Sequence, residues 1–268
     1  MRTPWTAVVG KPVKDSLSPE VFRLFASELG RPLRYRALEI AAGDFKPALA
    51  RARSLPWLGW NVTAPHKVAA AGLVDRLDPW AAAVRAVNVI HFQDGVAMGY
   101  NTDVEGFLAP LKRRGVGLRG RTALVLGGGG AAAAVCEALK RSQIAELFVA
   151  CRTPAHAAVL ADRFGGVAVA PEPGDFGRAD LVVNATSAGE TRLLPEGVRL
   201  KPGSWAYDLT YRPSRTRFLA EAEASGARAL GGLEMLVRQA SLTWRVWFEE
   251  ELPERAVELV LKELRSVS

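Results

Sequence analysis

The chain has 268 residues, 49% of them hydrophobic and 24% charged, and this balance excludes a disordered chain. No run of about 18 apolar residues occurs, which argues against a membrane-spanning helix, and the N-terminus lacks a signal-peptide pattern, so we expect a cytoplasmic protein. The formal net charge of +7 is thinly spread, which favours a solvated basic surface or anionic small-molecule ligands over nucleic acid.

The cysteines and histidines indicate neither a disulfide framework nor a metal site. Cys136 and Cys151 lie in predicted secondary structure without metal-like spacing, so we expect two reduced structural thiols. The histidines, His66, His91 and His156, are scattered along the chain. We therefore expect no metal.

The first part of the chain alternates short β-rich segments with helical patterns. Strands are predicted at Trp5–Val9, Arg34–Glu39 and Trp57–Val62, with helices at Pro19–Leu29 and Asp44–Arg53 between them. Ser18 is expected to cap the first helix, with Pro19 at its first position. This βαβαβ rhythm predicts a mostly parallel sheet flanked by helices.

A second α/β unit begins near Arg121, after an amphipathic segment at Asp103–Arg114 that we expect to be a connecting helix. The apolar segment 122–126 predicts a buried strand, and the alanine-rich segment 131–140 predicts a helix. The later predicted elements are a strand at 147–151, a helix at Pro154–Phe164, strands leading into loops at 181–189 and 204–211, and helices at Leu233–Phe248 and Pro253–Leu264. We therefore predict two α/β domains with a boundary near residue 102.

Four consecutive glycines lie directly between a predicted strand and a predicted helix, the context that a dinucleotide-binding turn requires. Gly127 would allow the tight turn, and Gly129 would let the backbone approach a pyrophosphate at the positive N-terminus of the helix. Ala132 or Ala133 would supply the small residue for close helix–strand packing. A flexible surface turn is the alternative explanation.

The end of the next strand bears on which dinucleotide is bound. An acidic residue there would bind the 2′-hydroxyl of NAD, but the chain has Cys151, Arg152 and Thr153. The planar guanidinium of Arg152 suits a 2′-phosphate, so we predict NADP. The alternative is a surface arginine at a strand end.

Polar side chains follow the predicted strands of the first domain, where open α/β sheets bind ligands. The hydroxyls of Ser16 and Ser18 could hold a carboxylate, although helix capping explains Ser18 equally well. Lys67 is expected on a loop, where it becomes a candidate acid or base only beside a carboxylate in a cleft. Asp103 taken alone is typical of a helix N-cap.

Several motifs occur together in the order seen in shikimate dehydrogenases: SLSP, NVTAPHK, AVN, GYNTD, GGGGAAAA, CRT, NATSAG, DLTYRP and GGLEMLVRQA. They span residues 8 to about 248, and NVTAPHK followed by GYNTD is the specific combination. The chain resembles this family, which reduces 3-dehydroshikimate to shikimate with NADPH. The resemblance implies an N-terminal α/β substrate domain (1–102) and a C-terminal Rossmann-type NADP-binding domain (103–239). The helices at about 240–268 would pack back on the first domain.

The resemblance also implies roles for individual residues. Lys67 and Asp103 would be the catalytic pair. The implied substrate ligands are Ser16, Ser18, Asn61, Thr63, Lys67, Asn88, Asp103, Tyr211 and Gln239. The implied cofactor ligands are Gly127, Gly128, Gly129, Gly130, Ala131, Arg152, Thr153, Thr186, Leu209, Gly232 and Met235. The expected partner is shikimate or 3-dehydroshikimate, with no nucleic acid and no membrane, and the protein is expected to be a monomer or a homodimer.

The chain departs from the family pattern at a few positions. Phe22 and Arg23 replace a His-Asn pair, which we interpret as local repacking. Cys151 and His156 replace an asparagine and a second basic residue, which leaves the preference for NADP over NAD open, and Arg85 replaces a glycine. A quinate/shikimate dehydrogenase or a paralogue acting on an amino-substituted analogue is the alternative enzyme. A catalytically silent binding module is the alternative from another class.

Overall fold

The computed structural model describes residues 3–170, 172–186 and 191–266. The chain divides into two compact units, of which the first extends to Gly106 and resumes at Leu236, and the second is Phe107–Met235. Both changes of unit fall inside a helix, because the helices Asp103–Arg113 and Leu233–Phe248 each contribute to both units. The first unit therefore contains residues 103 and 239, whereas the expected boundaries assigned both to the cofactor domain.

The first unit contains, within its described residues, a six-stranded sheet in the order β2-β1-β3-β5-β6-β4. Its strands are β1 (Trp5–Gly10), β2 (Arg34–Glu39), β3 (Trp57–Val62), β4 (Arg76–Leu77), β5 (Val89–Gln93) and β6 (Val96–Tyr100). β5 runs antiparallel to β3 and β6, and the other neighbouring pairs are parallel. The expected mostly parallel sheet is confirmed.

Three residues with positive φ account for two local turns in this unit. Asp94 (φ 52°) and Gly95 (φ 79°) join β5 to β6, as in the two-residue hairpin turns that favour Asp-Gly. Arg85 ends a short helix in the left-handed conformation (φ 54°), which glycine adopts more readily. The departure at Arg85 therefore lies where the backbone favours glycine.

Helices pack beside this sheet, and the last two of them come from the C-terminal part of the chain. The helices that contribute to this unit are α1 (Ser18–Glu28), α2 (Phe45–Ala52), α3 (Lys67–Ala71), α4 (Pro79–Val84), α5 (Asp103–Arg113), α10 (Leu233–Phe248) and α11 (Glu254–Ser266). The prediction that Ser18 caps α1 was wrong, because Ser18 is its first residue and its backbone N–H donates to Ser16 Oγ at 3.2 Å. Among the described residues, no helix combines the length and apolar composition that crossing a bilayer requires.

An aromatic cluster joins α10 to α1 and β2. The Phe22 ring stacks on Tyr35 at 4.8 Å between centroids and lies 5.1 Å from Trp247. Trp244 is fully buried and meets Phe25 edge-on. Phe22 is itself fully buried, so this departure from the family motif belongs to the apolar core.

The second unit has, within its described residues, a six-stranded parallel sheet in the order β12-β11-β10-β7-β8-β9. Its strands are β7 (Thr122–Leu126), β8 (Glu146–Ala150), β9 (Val167–Ala168), β10 (Leu181–Asn184), β11 (Trp205–Asp208) and β12 (Arg228–Leu230). Its helices are α6 (Gly130–Arg141), α7 (Pro154–Phe164), α8 (Pro173–Arg178) and α9 (Arg217–Ala224). This is the strand order of the Rossmann fold, which confirms the predicted fold class.

We expect Gly59→Ala to lower the free energy of unfolding by about 1–3 kcal/mol through overpacking. A Cβ on Gly59 would lie 2.5 Å from the Ile90 carbonyl oxygen and would overlap Trp247 Nε1, which donates to that oxygen. The measurement is urea denaturation, with Gly43→Ala as control because nothing lies within 4 Å of its Cβ position. Equal stability of the two variants would contradict this packing.

Candidate active site

Three chain segments meet at one edge of the first-unit sheet because β5 is antiparallel to its neighbours. The carboxyl ends of β3 and β6 and the start of β5 therefore lie together. The backbone of Asn88 links them: its carbonyl accepts from Val62 N at 2.7 Å, and its N–H donates to the Tyr100 carbonyl at 3.0 Å. Side chains that follow β3, precede β5 and follow β6 converge here.

Lys67 and Asp103 form an ion pair at this edge. Lys67 Nζ donates to Asp103 Oδ2 at 2.6 Å, and the two side chains are 18% and 6% exposed. The expectation that Lys67 lies on a loop was wrong, because Lys67 is the first residue of α3. Asp103 is likewise the first residue of α5 and not its cap, and its backbone N–H donates to Asn101 Oδ1. The Asp103 carboxylate is therefore directed to Lys67.

The Asn88 amide holds the other carboxylate oxygen and connects the pair to α10. Asn88 Nδ2 donates to Asp103 Oδ1 and Thr102 Oγ1, each at 2.9 Å, and approaches Gln239 Oε1 at 3.3 Å. Asn88 Oδ1 accepts from the Thr102 backbone N–H at 2.8 Å. The structure thus brings together four predicted residues, Lys67, Asn88, Asp103 and Gln239. Thr102 was missed, although its place in the GYNTD motif was a usable signal.

The loops that carry the predicted substrate-binding residues Ser16 and Thr63 are in contact with each other. A Cβ on Gly10 would lie 2.8 Å from the Ala64 carbonyl oxygen, so the loop after β1 packs closely on the loop after β3. Thr63 N–H donates to the Val9 carbonyl at 2.9 Å. Within the described residues, no hydrogen bond joins the side chains of Ser16, Ser18 or Thr63 to the Lys67–Asp103 pair.

Asn61 has both ends of its side chain occupied by protein. Its Oδ1 accepts from the Tyr35 hydroxyl at 2.7 Å, and its Nδ2 donates to Thr243 Oγ1 at 3.3 Å. Asn61 thereby anchors α10 to β3. A role in binding substrate stays a prediction for this residue.

The side chains of His66 and Cys136 are buried, which supports a structural role for both. His66 is buried, with Nε2 2.8 Å from the Ile40 carbonyl oxygen and its ring stacked on Phe45. Burial raises the pKa of the Cys136 thiol to about 12, and Cys151 is also free of a disulfide. Across residues 3–170, 172–186 and 191–266, no group of three or more side chains could hold a metal ion.

The glycine turn of the second unit leaves an open space at the start of α6. Gly127 has φ 141°, and a Cβ there would lie 2.8 Å from the Ala185 carbonyl oxygen and 3.3 Å from Ala132 Cβ. Gly129 is exposed and has nothing within 4 Å of its Cβ position. The first backbone N–H groups of α6 begin directly after it, at Gly130. Such a helix N-terminus suits a phosphate group.

The loop between β8 and α7 lies against this turn. A Cβ on Gly128 would be 2.8 Å from Cys151 Sγ and 3.0 Å from His156 Cβ. Arg152 is exposed and makes no ion pair with the described residues, and Thr153 stands at the N-cap of α7. The loop therefore presents a cation beside the glycine turn.

A hydrogen-bond network centred on the buried Asn184 fixes the loops that carry other predicted cofactor ligands. Asn184 Oδ1 accepts from Thr186 Oγ1 at 2.7 Å, and Asn184 Nδ2 donates to Asp208 Oδ1 at 2.9 Å. The Leu209 N–H donates to the Asn184 carbonyl, and a Cβ on Gly232 would lie 2.5 Å from the Leu209 carbonyl carbon. Thr186, Leu209 and Gly232 are thus brought together. Sequence reasoning missed Asn184 and Asp208 because each is recognised only through its partner.

Two further predicted ligand-binding residues, Tyr211 and Met235, lie in the second unit outside the hydrogen-bond network of Asn184. Tyr211 is partly exposed in the loop after β11, and Met235 is buried in the first turn of α10. Residues 187–190, which include the end of the NATSAG motif, lie outside the described residues.

Comparisons with known proteins agree over most of the chain. Residues 8–90 match the family described as shikimate dehydrogenase substrate binding domain, and residues 110–202 match shikimate / quinate 5-dehydrogenase. A shikimate dehydrogenase (NADP(+)) of Moorella thermoacetica is 40% identical, with 98% of this chain and 94% of that protein covered. The shikimate 5-dehydrogenase of Thermus thermophilus in complex with NADP(H) and shikimate has a TM-score of 0.88 at 37% identity, covering 97% of this chain and 99% of that one. A 5-ketofructose reductase of a Gluconobacter strain has a TM-score of 0.82 at 27% identity, covering 98% and 99% of the two chains. The chain belongs to the shikimate dehydrogenase family.

Proposed function

We propose that the chain reduces 3-dehydroshikimate to shikimate with NADPH, and catalyses the reverse oxidation with NADP. The observation that carries this proposal is the Lys67–Asp103 ion pair, held by the Asn88 amide at a sheet edge. Curated relatives from Moorella thermoacetica and Oleidesulfovibrio alaskensis are both named shikimate dehydrogenase (NADP(+)). These relatives do not favour the alternatives of quinate or an amino-substituted analogue.

The Lys67–Asp103 pair has the chemistry that ketone reduction requires. When bound, NADPH supplies the hydride, and the protein must deliver a proton to the oxygen that develops negative charge. Lys67 Nζ carries protons and positive charge beside that position, and Asp103 fixes the direction of Lys67 through Oδ2. Because Lys67 Nζ and Asp103 Oδ2 are in direct contact, we assign the proton transfer to the pair.

The surrounding amides and hydroxyls are proposed to recognise the substrate. Gln239, Asn88 and Thr63 would pair with ring hydroxyls, and Ser16 and Ser18 would hold the carboxylate. Buried polar groups left unpaired by an analogue cost roughly 1–3 kcal/mol each, so such a site rejects molecules that lack the hydroxyls. Asn61 and Tyr211 remain proposed members of this set.

Residues of the second unit support the proposal that NADP is the cofactor. The open space over Gly129 and the N-terminus of α6 suit the pyrophosphate, and the exposed Arg152 with Thr153 suits the 2′-phosphate. The residues directly after β8 are Cys151, Arg152 and Thr153, with no acidic residue where NAD would need one. The further proposed cofactor ligands are Gly127, Gly128, Gly130, Ala131, Thr186, Leu209, Gly232 and Met235. A reducing cytoplasmic location is proposed from the two free cysteines.

Replacing Lys67 by alanine is expected to lower kcat for shikimate oxidation by about 10²–10⁴-fold, because the proton-transferring group is lost. The dissociation constant for NADPH should change little, since Lys67 lies in the first unit and the cofactor loops in the second. The measurements are NADPH absorbance and nucleotide titration. Lys46→Ala removes an exposed lysine of α2 as the control. Near-normal turnover of Lys67→Ala would refute the assigned role.

Arg152→Ala is expected to raise KM for NADP about tenfold or more, because a charge-assisted hydrogen bond to the 2′-phosphate is lost. KM for NAD should stay nearly constant, since NAD has no 2′-phosphate. Steady-state kinetics with both cofactors test this, and Arg119→Ala removes an exposed charge of the same unit as control. Parallel increases for NADP and NAD would mean that Arg152 does not read the 2′-phosphate.

Gly129→Ala is expected to raise KM for NADP while the melting temperature stays within about 2 °C of wild type. The backbone of Gly129 has φ −97°, which alanine adopts, and the added methyl would enter the space proposed for pyrophosphate. Gly127→Ala should instead lower the melting temperature, because of its positive φ and the nearby Ala185 carbonyl. Thermal unfolding and NADP kinetics measure both effects. An unchanged KM for Gly129→Ala would contradict the proposed phosphate position.

A further inference from the structure

In the first unit, the helices α5 and α10 approach each other closely at Gly106. Gly106 is buried in α5, less than one turn after Asp103. A Cβ on Gly106 would lie 2.7 Å from Gln239 Cβ and 3.2 Å from both Cα and N of Gln239. All of these atoms belong to Gln239 and lie on or next to its backbone, so rotation of a flexible side chain cannot relieve the contact.

The backbone conformation of Gly106 does not itself require glycine. Gly106 lies inside a helix and is not among the glycines with positive φ. Glycine in a helix interior is less favourable than alanine, so its presence here works against the helix. The close approach to Gln239 accounts for a glycine at this position.

The contact between Gly106 and Gln239 positions the side-chain amide of Gln239, whose hydrogen bonds tolerate little displacement. Gln239 Oε1 accepts from Asn88 Nδ2 and from Thr102 Oγ1, each at 3.3 Å, near the long end of the hydrogen-bond range. Gln239 Nε2 donates to the Leu236 carbonyl at 2.8 Å, so the orientation of the amide follows its own helix. Bringing the 2.7 Å contact up to the 3.4 Å of ordinary van der Waals contact would move α10 outwards by about 0.7 Å, which would break both 3.3 Å hydrogen bonds.

We propose that Gly106 is a positioning residue that sets how deeply the Gln239 amide reaches into the substrate site. This inference rests on the proposed function, in which Gln239 pairs with a ring hydroxyl of shikimate. A methyl group at residue 106 would withdraw that amide, and the Lys67–Asp103 contact would remain, because Asp103 is held by Lys67 and Asn88. The loss therefore falls on substrate binding.

The test compares Gly106→Ala with wild type and repeats the substitution in a Gln239→Ala background. In the wild-type background, Gly106→Ala is expected to raise KM for shikimate about tenfold, with KM for NADP within about twofold. In the Gln239→Ala background it should add less than about a further twofold, because the amide it displaces is already absent. Gly174→Ala in α8 is the control, since nothing lies within 4 Å of its Cβ position.

The outcomes separate this inference from the proposed function. Absence of shikimate turnover by the wild-type protein would refute the proposed function. Wild-type turnover with an unchanged KM in Gly106→Ala would refute only the positioning role. An equally large KM increase in both backgrounds would also refute it, because Gly106 would then act independently of the Gln239 amide.

A second variant covers the case in which Gly106→Ala does not fold. This variant combines Gly106→Ala with Gln239→Gly, which removes the Gln239 Cβ atom that lies 2.7 Å from the added methyl group. It is expected to restore folding, measured by thermal unfolding, while KM for shikimate stays raised because the amide is missing. Failure of this exchange to fold would overturn the proposal.

Discussion

The ion pair between Lys67 and Asp103 is the interaction on which the rest of the first unit depends. Two charges at 2.6 Å with little exposure are costly to remove from water, and they are stable only when their remaining hydrogen-bonding capacity is satisfied. The Asn88 amide, directly before β5, satisfies the other carboxylate oxygen of Asp103, and the reversal of β5 is what places Asn88 there. The antiparallel direction of β5 is therefore needed for the Lys67–Asp103 pair to have its hydrogen-bond partner.

A second constraint is that three glycines allow neighbouring atoms to come closer than any other residue would permit. Gly59 admits the indole of Trp247, Gly106 admits Gln239, and Gly232 admits the Leu209 carbonyl. The first two fix α10 from different sides, against β3 and against α5. Protein interiors are packed densely enough that a single added methyl must displace a neighbour, so these positions define the placement of polar side chains as firmly as hydrogen bonds do.

Local patterns predicted much of the fold, and non-local contacts explain what they missed. The apolar segment before the glycines and the alanine-rich segment after them predicted β7 and α6 because each element is encoded in its own residues. The Asp94-Gly95 turn was an available signal for the reversed strand that was not used. The wrong expectation for Ser18 arose because Ser16 and Ser18 are equivalent as sequence signals, and only the backbone path decides between them.

The spacing of the site along the chain has a consequence for the order in which it forms during synthesis. Lys67 and Asp103 are 36 residues apart, whereas Asn88 and Gln239 are 151 apart. The segment that holds the charged pair leaves the ribosome well before α10 does. A nascent chain can therefore assemble the pair without the Gln239 amide, and the substrate contact proposed for Gln239 becomes available only after α10 has been made.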